Sequence, residues 1–156
     1  MSMSENVHQP DSAAQSALPP AELFGWKPNY SVGIGIIDQH HQRLFSLVNS
    51  LHNAMVQQQG KIVLASTLTE LFSYTQLHFT SEEVLMEAFG YPELLIHRIE
   101  HDRLLRTVQA FQDEFFRGQA QLTVQLMDFL KTWLQKHILG SDQRYVQFFA
   151  GRGAKP

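Results

Sequence analysis

The stretch Tyr74–Met86, YTQLHFTSEEVLM, decides the fold, because it sets His78 and Glu82 where an amphipathic helix ordinarily carries leucine. Around it Leu64, Leu68, Leu71, Thr75, His78, Glu82, Leu85 and Phe89 step by four and three, the seam spacing of a helix that faces a bundle core. Two metal-type ligands therefore point inward. A carboxylate buried without a partner costs several kcal/mol, comparable to the whole stability margin of a small domain. Something in that core must neutralise Glu82.

The same rhythm recurs on both sides of this segment. Asp38 reads as an N-cap, and His41, Leu44, Val48, Leu51 and Met55 repeat by three and four until Gly60. The Tyr74–Met86 helix itself spans about Lys61 to Ala88, closed by Gly90 and the Tyr91-Pro92 turn. A third helix begins near Pro92 with Leu94, His97, His101, Leu104, Val108, Phe111 and Phe115 on one face, and stops at Gly118. A fourth carries Leu122, Leu126, Leu130, Trp133 and His137 and is interrupted at Gly140, before a short last helix from Ser141 to about Ala150. Connections this short force neighbouring helices antiparallel. The expected fold is all-α: an up-down-up-down four-helix bundle with an extended N-terminal arm and a short C-terminal helix. Residues 1–22, rich in Ser, Ala, Gln and Pro and without periodicity, read as a disordered or loosely packed arm. Residues 23–150 form the bundle domain, whose first part, Leu23–Ile37, is broken by Pro28 and glycines and reads as extended chain packed along the helices. Residues 151–156 are an expected frayed tail.

Composition bounds the function. A chain of 156 residues, 44% hydrophobic, makes one domain with a real core. A net charge of -3 with interspersed signs offers no basic face for nucleic acid or a membrane surface, and no stretch is apolar for long enough to span a bilayer. The N-terminus lacks the apolar run of a secretory signal, so a cytoplasmic location is expected. With no cysteine, disulfides and thiolate metal sites are excluded, and any metal must be held by nitrogen and oxygen. Eight histidines are then conspicuous.

Topology brings most of them together. His41 opens the first helix, His78 and Glu82 lie near the end of the second, His97 and His101 open the third, and His137 ends the fourth. In an antiparallel bundle those four ends are one end, and Asp142 follows just beyond Gly140. His78 with Glu82, and His97 with His101, are four apart, one turn, so each pair can reach one ion. His137 and Asp142 are five apart, and the expected break at Gly140 swings Asp142 back. Five imidazoles and two carboxylates exceed what one ion accepts, and a mixture of nitrogen and oxygen suits iron better than calcium or magnesium. Two octahedral ions with two bridging carboxylates and a bridging oxide or hydroxide leave one coordination position open. An open position behind the apolar walls of Leu44, Phe79, Trp133, Leu134 and Ile138 suits a small ligand such as dioxygen.

The segments IDQHHQRLF, YTQLHFTSEEVLM, HRIEH after the Tyr91-Pro92 turn, and WLQKHILGSD resemble the bacterial hemerythrin family over about Trp26 to Tyr145. The resemblance implies two iron ions with a bridging oxo or hydroxo group. It implies that His97, His101 and His137 hold one ion, that His41 and His78 hold the other, and that Glu82 and Asp142 bridge them. It further implies that dioxygen binds at the two-histidine iron, drawing two electrons from the pair. Of the neighbours His40 and His41, the Asp-x-x-His spacing from Asp38 and the seam position select His41.

Blander readings apply elsewhere. His52 falls nearly on the stripe of His41 but about 16 Å further along the helix, a boundary or core position. Glu83 and Glu87 read as a solvated face, Trp133 as core packing that also shields the site, and Tyr145 either as a hydrogen-bond donor near Asp142 or as a cap on the bundle. The function expected is reversible dioxygen binding for storage, delivery or buffering, by a non-enzymatic protein that is a monomer. Under that reading an oxidase is a candidate receiver of the oxygen; the alternatives are a di-iron redox enzyme acting on peroxide or nitric oxide, and an oxygen or redox sensor with a separate signalling partner. None of the expected helices carries the Glu-x-x-His repeat of ferritin-like oxidases, which disfavours the enzyme reading.

Overall fold

The computed structural model describes residues 23–152. The N-terminal arm expected over 1–22 and residues 153–156 of the expected tail lie outside the described residues. Helices α1 (Gly35–Val56), α2 (Lys61–Ala88), α3 (Leu94–Phe116) and α4 (Val124–Lys136) form the bundle, and α5 (Gln143–Gly151) continues α4 through a π-helical turn, His137–Asp142. Helix α1 packs on α2 and α4, and α2 packs on α3. No helix among the described residues is long and apolar enough to cross a membrane.

The expected seams are the buried faces, except that Leu122, expected on the fourth helix, precedes its N-cap Thr123 and is half-buried. On α3, His97, His101, Leu104, Val108 and Phe115 are buried, and on α2 so are Leu68, Leu71, Thr75, His78 and Glu82. Beyond Glu82 the buried stripe of α2 drifts to Met86 and away from Leu85 and Phe89. A strict seven-residue step outruns the 3.6-residue turn of a straight helix.

Three helices end in the same way. After α2, Gly90 at φ +64° lets Tyr91 N–H donate to the Met86 carbonyl at 2.8 Å and its own N–H donate to Glu87 at 3.1 Å. After α3, Gly118 at φ +74° does the same with Gln119 and Glu114. This pair of bonds satisfies carbonyls that the helix end would leave bare. After α1 the left-handed position is occupied by Gln58, at φ 51°, with Gln59 N–H donating to the Ala54 carbonyl. The first helix therefore stops at Val56, and Gly60, read from the sequence as its end, is instead the residue before α2.

Two further expectations at the chain entry are corrected. Helix α1 starts at Gly35, so Asp38 lies in its first turn and is not its N-cap. Its carboxylate accepts from Val32 N–H at 2.7 Å, Gly33 N–H at 3.3 Å and the Ser31 hydroxyl at 2.6 Å. An acid there closes the incoming loop onto the positive end of the helix. The segment read as extended also contains a 3-10 turn, Pro28–Tyr30. It packs along the bundle as expected: Phe24 and Tyr30 are buried against Phe45, ring centroids 4.3 and 4.9 Å apart. The Asn49 amide clamps the Leu23 and Phe24 backbone, and Lys131 Nζ on α4 donates to the Leu23 carbonyl.

The fourth helix is not broken at Gly140. The chain stays helical through a turn whose hydrogen bonds close to the fifth residue, which brings residues five apart onto one face. His137 and Asp142 thus face the same interior, both buried. The last α-helix accordingly begins at Gln143 and not at Ser141.

The left-handed cap at Gln58 yields a stability test. A side chain there costs about 1 kcal/mol that glycine avoids, so Gln58→Gly is expected to raise the unfolding free energy by up to about 1 kcal/mol, read as a higher urea midpoint at unchanged slope. An unchanged or lower midpoint would show that the cap holds no such strain.

Candidate metal centre

At one end of the bundle the four helices deliver seven ionisable groups into a layer that excludes solvent. His41 comes from α1, His78 and Glu82 from α2, His97 and His101 from α3, and His137 and Asp142 from the two ends of the π-helical turn. Their exposures run from 0 to 4%. They fall into two groups that share Glu82: one of Glu82, His97, His101 and His137, the other of His41, His78, Glu82 and Asp142, each with one ligand-type atom per residue within 4.8 Å of the rest. Asp142 also spans the two, with Oδ1 3.1 Å from His137 Nε2 and 3.5 Å from His97 Nε2, and Oδ2 3.3 Å from His41 Nε2. Glu82 Oε2 lies 3.2 Å from His101 Nε2 and 3.5 Å from His78 Nε2. All seven residues singled out in the sequence are therefore in one layer, and His40 is not, being only half-buried beside Tyr74. His52 likewise stands apart at a half-buried position.

The metal-free electrostatics are strained. Burial pushes His78 down to about 3. Burial alone would raise Glu82, but His78, His101 and His97 hold it well below the usual carboxylate range. His137 goes the other way: against the effect of burial, Asp142, Glu100 and Glu82 raise it to about 10. Asp142, which burial and Glu82 would raise, is held low by His137 and His41. The His137 imidazolium thus faces two buried carboxylates. The Nε2 atoms of His41, His78 and His97 and both oxygens of Asp142 have no hydrogen-bond partner. Buried acceptors in this number are costly unless cations meet them. The donor set of imidazole nitrogens and carboxylate oxygens fits transition-metal ions, and a metal taken up near neutral pH would displace the His137 proton.

Around this layer lie partners that the sequence reading missed or left open. Tyr145, fully buried, donates its hydroxyl to Glu82 Oε1 at 2.8 Å, so of its two readings the structure favours the hydrogen-bond donor, though to Glu82 and not Asp142. Burial, Glu82 and Asp142 raise its phenol well above the ordinary range, which keeps it a donor. Glu83, read as part of a solvated face, instead bonds to His101 Nδ1 at 2.8 Å, while Glu87 is exposed. Glu100 approaches His137 Nδ1 at 3.3 Å, and this histidine holds its carboxyl down at about 2. The signal was positional: Glu83 follows a seam residue and Glu100 precedes one, so each sits at the rim where α2 meets α3 or α3 meets the π-helical turn.

Aromatic faces complete the enclosure. Phe79 stacks on His101 with centroids 3.6 Å apart and planes 3° from parallel, and Trp133 stacks on His137 at 4.5 Å. Both also line an apolar cavity of about 30 Å³ that includes Leu44, Leu104 and Leu134. Ile138, expected with Leu44, Phe79, Trp133 and Leu134 to wall the open coordination position, is fully buried outside this cavity. Tyr145→Phe is expected to strip Glu82 Oε1 of its donor and cost about 1–3 kcal/mol of stability in the metal-free protein. An unchanged unfolding midpoint would mean that the Tyr145–Glu82 bond adds nothing.

Comparison with known proteins agrees with this geometry. The model of the hemerythrin HHE cation binding domain matches residues 32–149. The bacteriohemerythrin of Clostridium acetobutylicum is 32% identical over 130 residues, covering 80% of this chain and 99% of that protein. That of Pseudomonas aeruginosa is 36% identical over 123 residues, covering 78% of each. A solved wild-type hemerythrin superposes with a TM-score of 0.76 at 29% identity, covering 80% of this chain and 96% of that one. Sequence, fold and the buried histidine–carboxylate layer lead to one assignment: the chain belongs to the hemerythrin family.

Proposed function

We propose that this layer holds two iron ions and that the protein binds dioxygen reversibly, as a carrier, store or buffer and not as an enzyme. In this reading His97, His101 and His137 hold one ion, His41 and His78 hold the other, and Glu82 and Asp142 serve both. A reduced iron pair supplies the two electrons that reversible capture of dioxygen requires. The residues of the chain do the rest. Phe79 and Trp133 cover the imidazoles of His101 and His137 and keep water away. Tyr145 ties one oxygen of Glu82 and so orients the carboxylate.

The observation that supports this reading is the pairing of seven buried ligand-type groups with an apolar cavity of about 30 Å³ that none of them lines but that Phe79 and Trp133, stacked on His101 and His137, do. A space of that size takes a diatomic molecule and has no room for an organic substrate. It therefore favours a binding role over an oxidase.

The test is an optical spectrum of anaerobically reduced, iron-loaded protein, taken before and after air and cycled several times. A visible charge-transfer band that appears with air and fades on deoxygenation is expected to survive the cycles. Immediate irreversible oxidation with no such band would overturn the carrier reading in favour of a redox enzyme or sensor. In the same assay His101→Ala is expected to abolish the band and His52→Ala to leave it intact.

A further inference from the structure

The five histidines of the layer are not supported alike. The Nδ1 atoms of His41, His78 and His97 are buried with no hydrogen-bond partner. Those of His101 and His137 each meet a carboxylate, Glu83 Oε1 at 2.8 Å and Glu100 Oε2 at 3.3 Å. Each carboxylate is braced in turn. Arg98 Nε donates to Glu83 Oε2 at 3.1 Å, while Arg144 Nη2 donates to Glu100 Oε1 at 3.3 Å and the Ser141 hydroxyl donates to Glu100 Oε2. Both Arg–Glu–His chains end on the same side of the layer, in the group of Glu82, His97, His101 and His137.

A carboxylate that accepts the Nδ1 proton of a histidine fixes the tautomer, turns the Nε2 lone pair inward and makes the ring a stronger donor. We propose that Glu83 and Glu100 are positioning residues that make the two metal positions unequal. The position of three histidines binds metal first and more tightly, and in the iron form it favours the ferric state. The group of His41 and His78 has no equivalent support. This inference rests on the reading of the layer as a two-metal site, but its first test does not depend on iron or dioxygen.

That test is titration of the metal-free protein with zinc, followed by calorimetry, for the native chain and for Glu83→Gln and Glu100→Gln. The amide keeps the shape of the side chain and removes its charge. The native chain is expected to take up zinc in two unequal steps, and each variant to weaken the first step about 10–100-fold. In the iron form the reduction potential is expected to rise, by about 59 mV for each tenfold loss of ferric preference. A merely structural role would not move it in that direction. Glu87→Gln is the control, since Glu87 shares Arg98 but touches no histidine, and it is expected to leave both quantities unchanged. Native first-step affinity and potential in both variants, or an equal shift in Glu87→Gln, would overturn the proposal. Two unequal zinc steps weakened by the variants, in a protein that takes up no iron, would support it while overturning the di-iron reading.

Discussion

Two carboxylates, Glu82 and Asp142, are fully buried in the apolar end of a helical bundle, and the rest of the structure is arranged around neutralising them. Without metal, His137, raised to about 10 by the acids it faces, supplies positive charge to them. Two acids remain buried in an apolar layer, and several imidazole nitrogens are without partners. Cations held between the two histidine groups would resolve both problems at once. The free energy of their binding is then also folding free energy.

The bundle serves this layer by geometry more than by chemistry. Antiparallel packing sets four helix ends side by side, so histidines and acids far apart in the chain meet without any loop having to carry them. Five of the seven groups stand on the regular helices α1 to α3, on faces already fixed by the burial of leucine, valine and phenylalanine, and His137 opens the π-helical turn where α4 ends. Asp142 alone needs a departure from α-helical geometry, and the π-helical turn supplies it while keeping the backbone hydrogen-bonded. Aromatic rings of Phe79 and Trp133 then lie flat on the imidazoles of His101 and His137 and also line the apolar cavity, which joins the polar layer to it.

Much of this was legible in the sequence because the seams of Leu68, Leu71, His78 and Glu82, and of His97, His101 and Leu104, are periodic over many turns. Short connections then left one topology, and topology placed the five histidines and two acids in one layer. What escaped were features set by local competition. Gly60 looked like the end of α1, yet the chain turns two residues earlier on Gln58, which adopts a left-handed conformation that glycine would favour. Asp38 looked like an N-cap, but its carboxylate is spent on the loop before the helix. Gly140 suggested a break, whereas an enlarged helical turn meets the same need. Glu83 and Glu100 were invisible as partners of His101 and His137 because their roles depend on how neighbouring helices rotate, and spacing along one helix does not encode that.

The most direct test of the central claim is to count metal and measure thermal unfolding on the same sample, stripped of metal and then reloaded with ferrous iron under anaerobic conditions. Neutralisation of the buried carboxylates by two ions predicts about two irons per chain and a markedly higher unfolding temperature in the loaded protein. A chain that unfolds at the same temperature with and without iron, or that holds at most one ion, would contradict it.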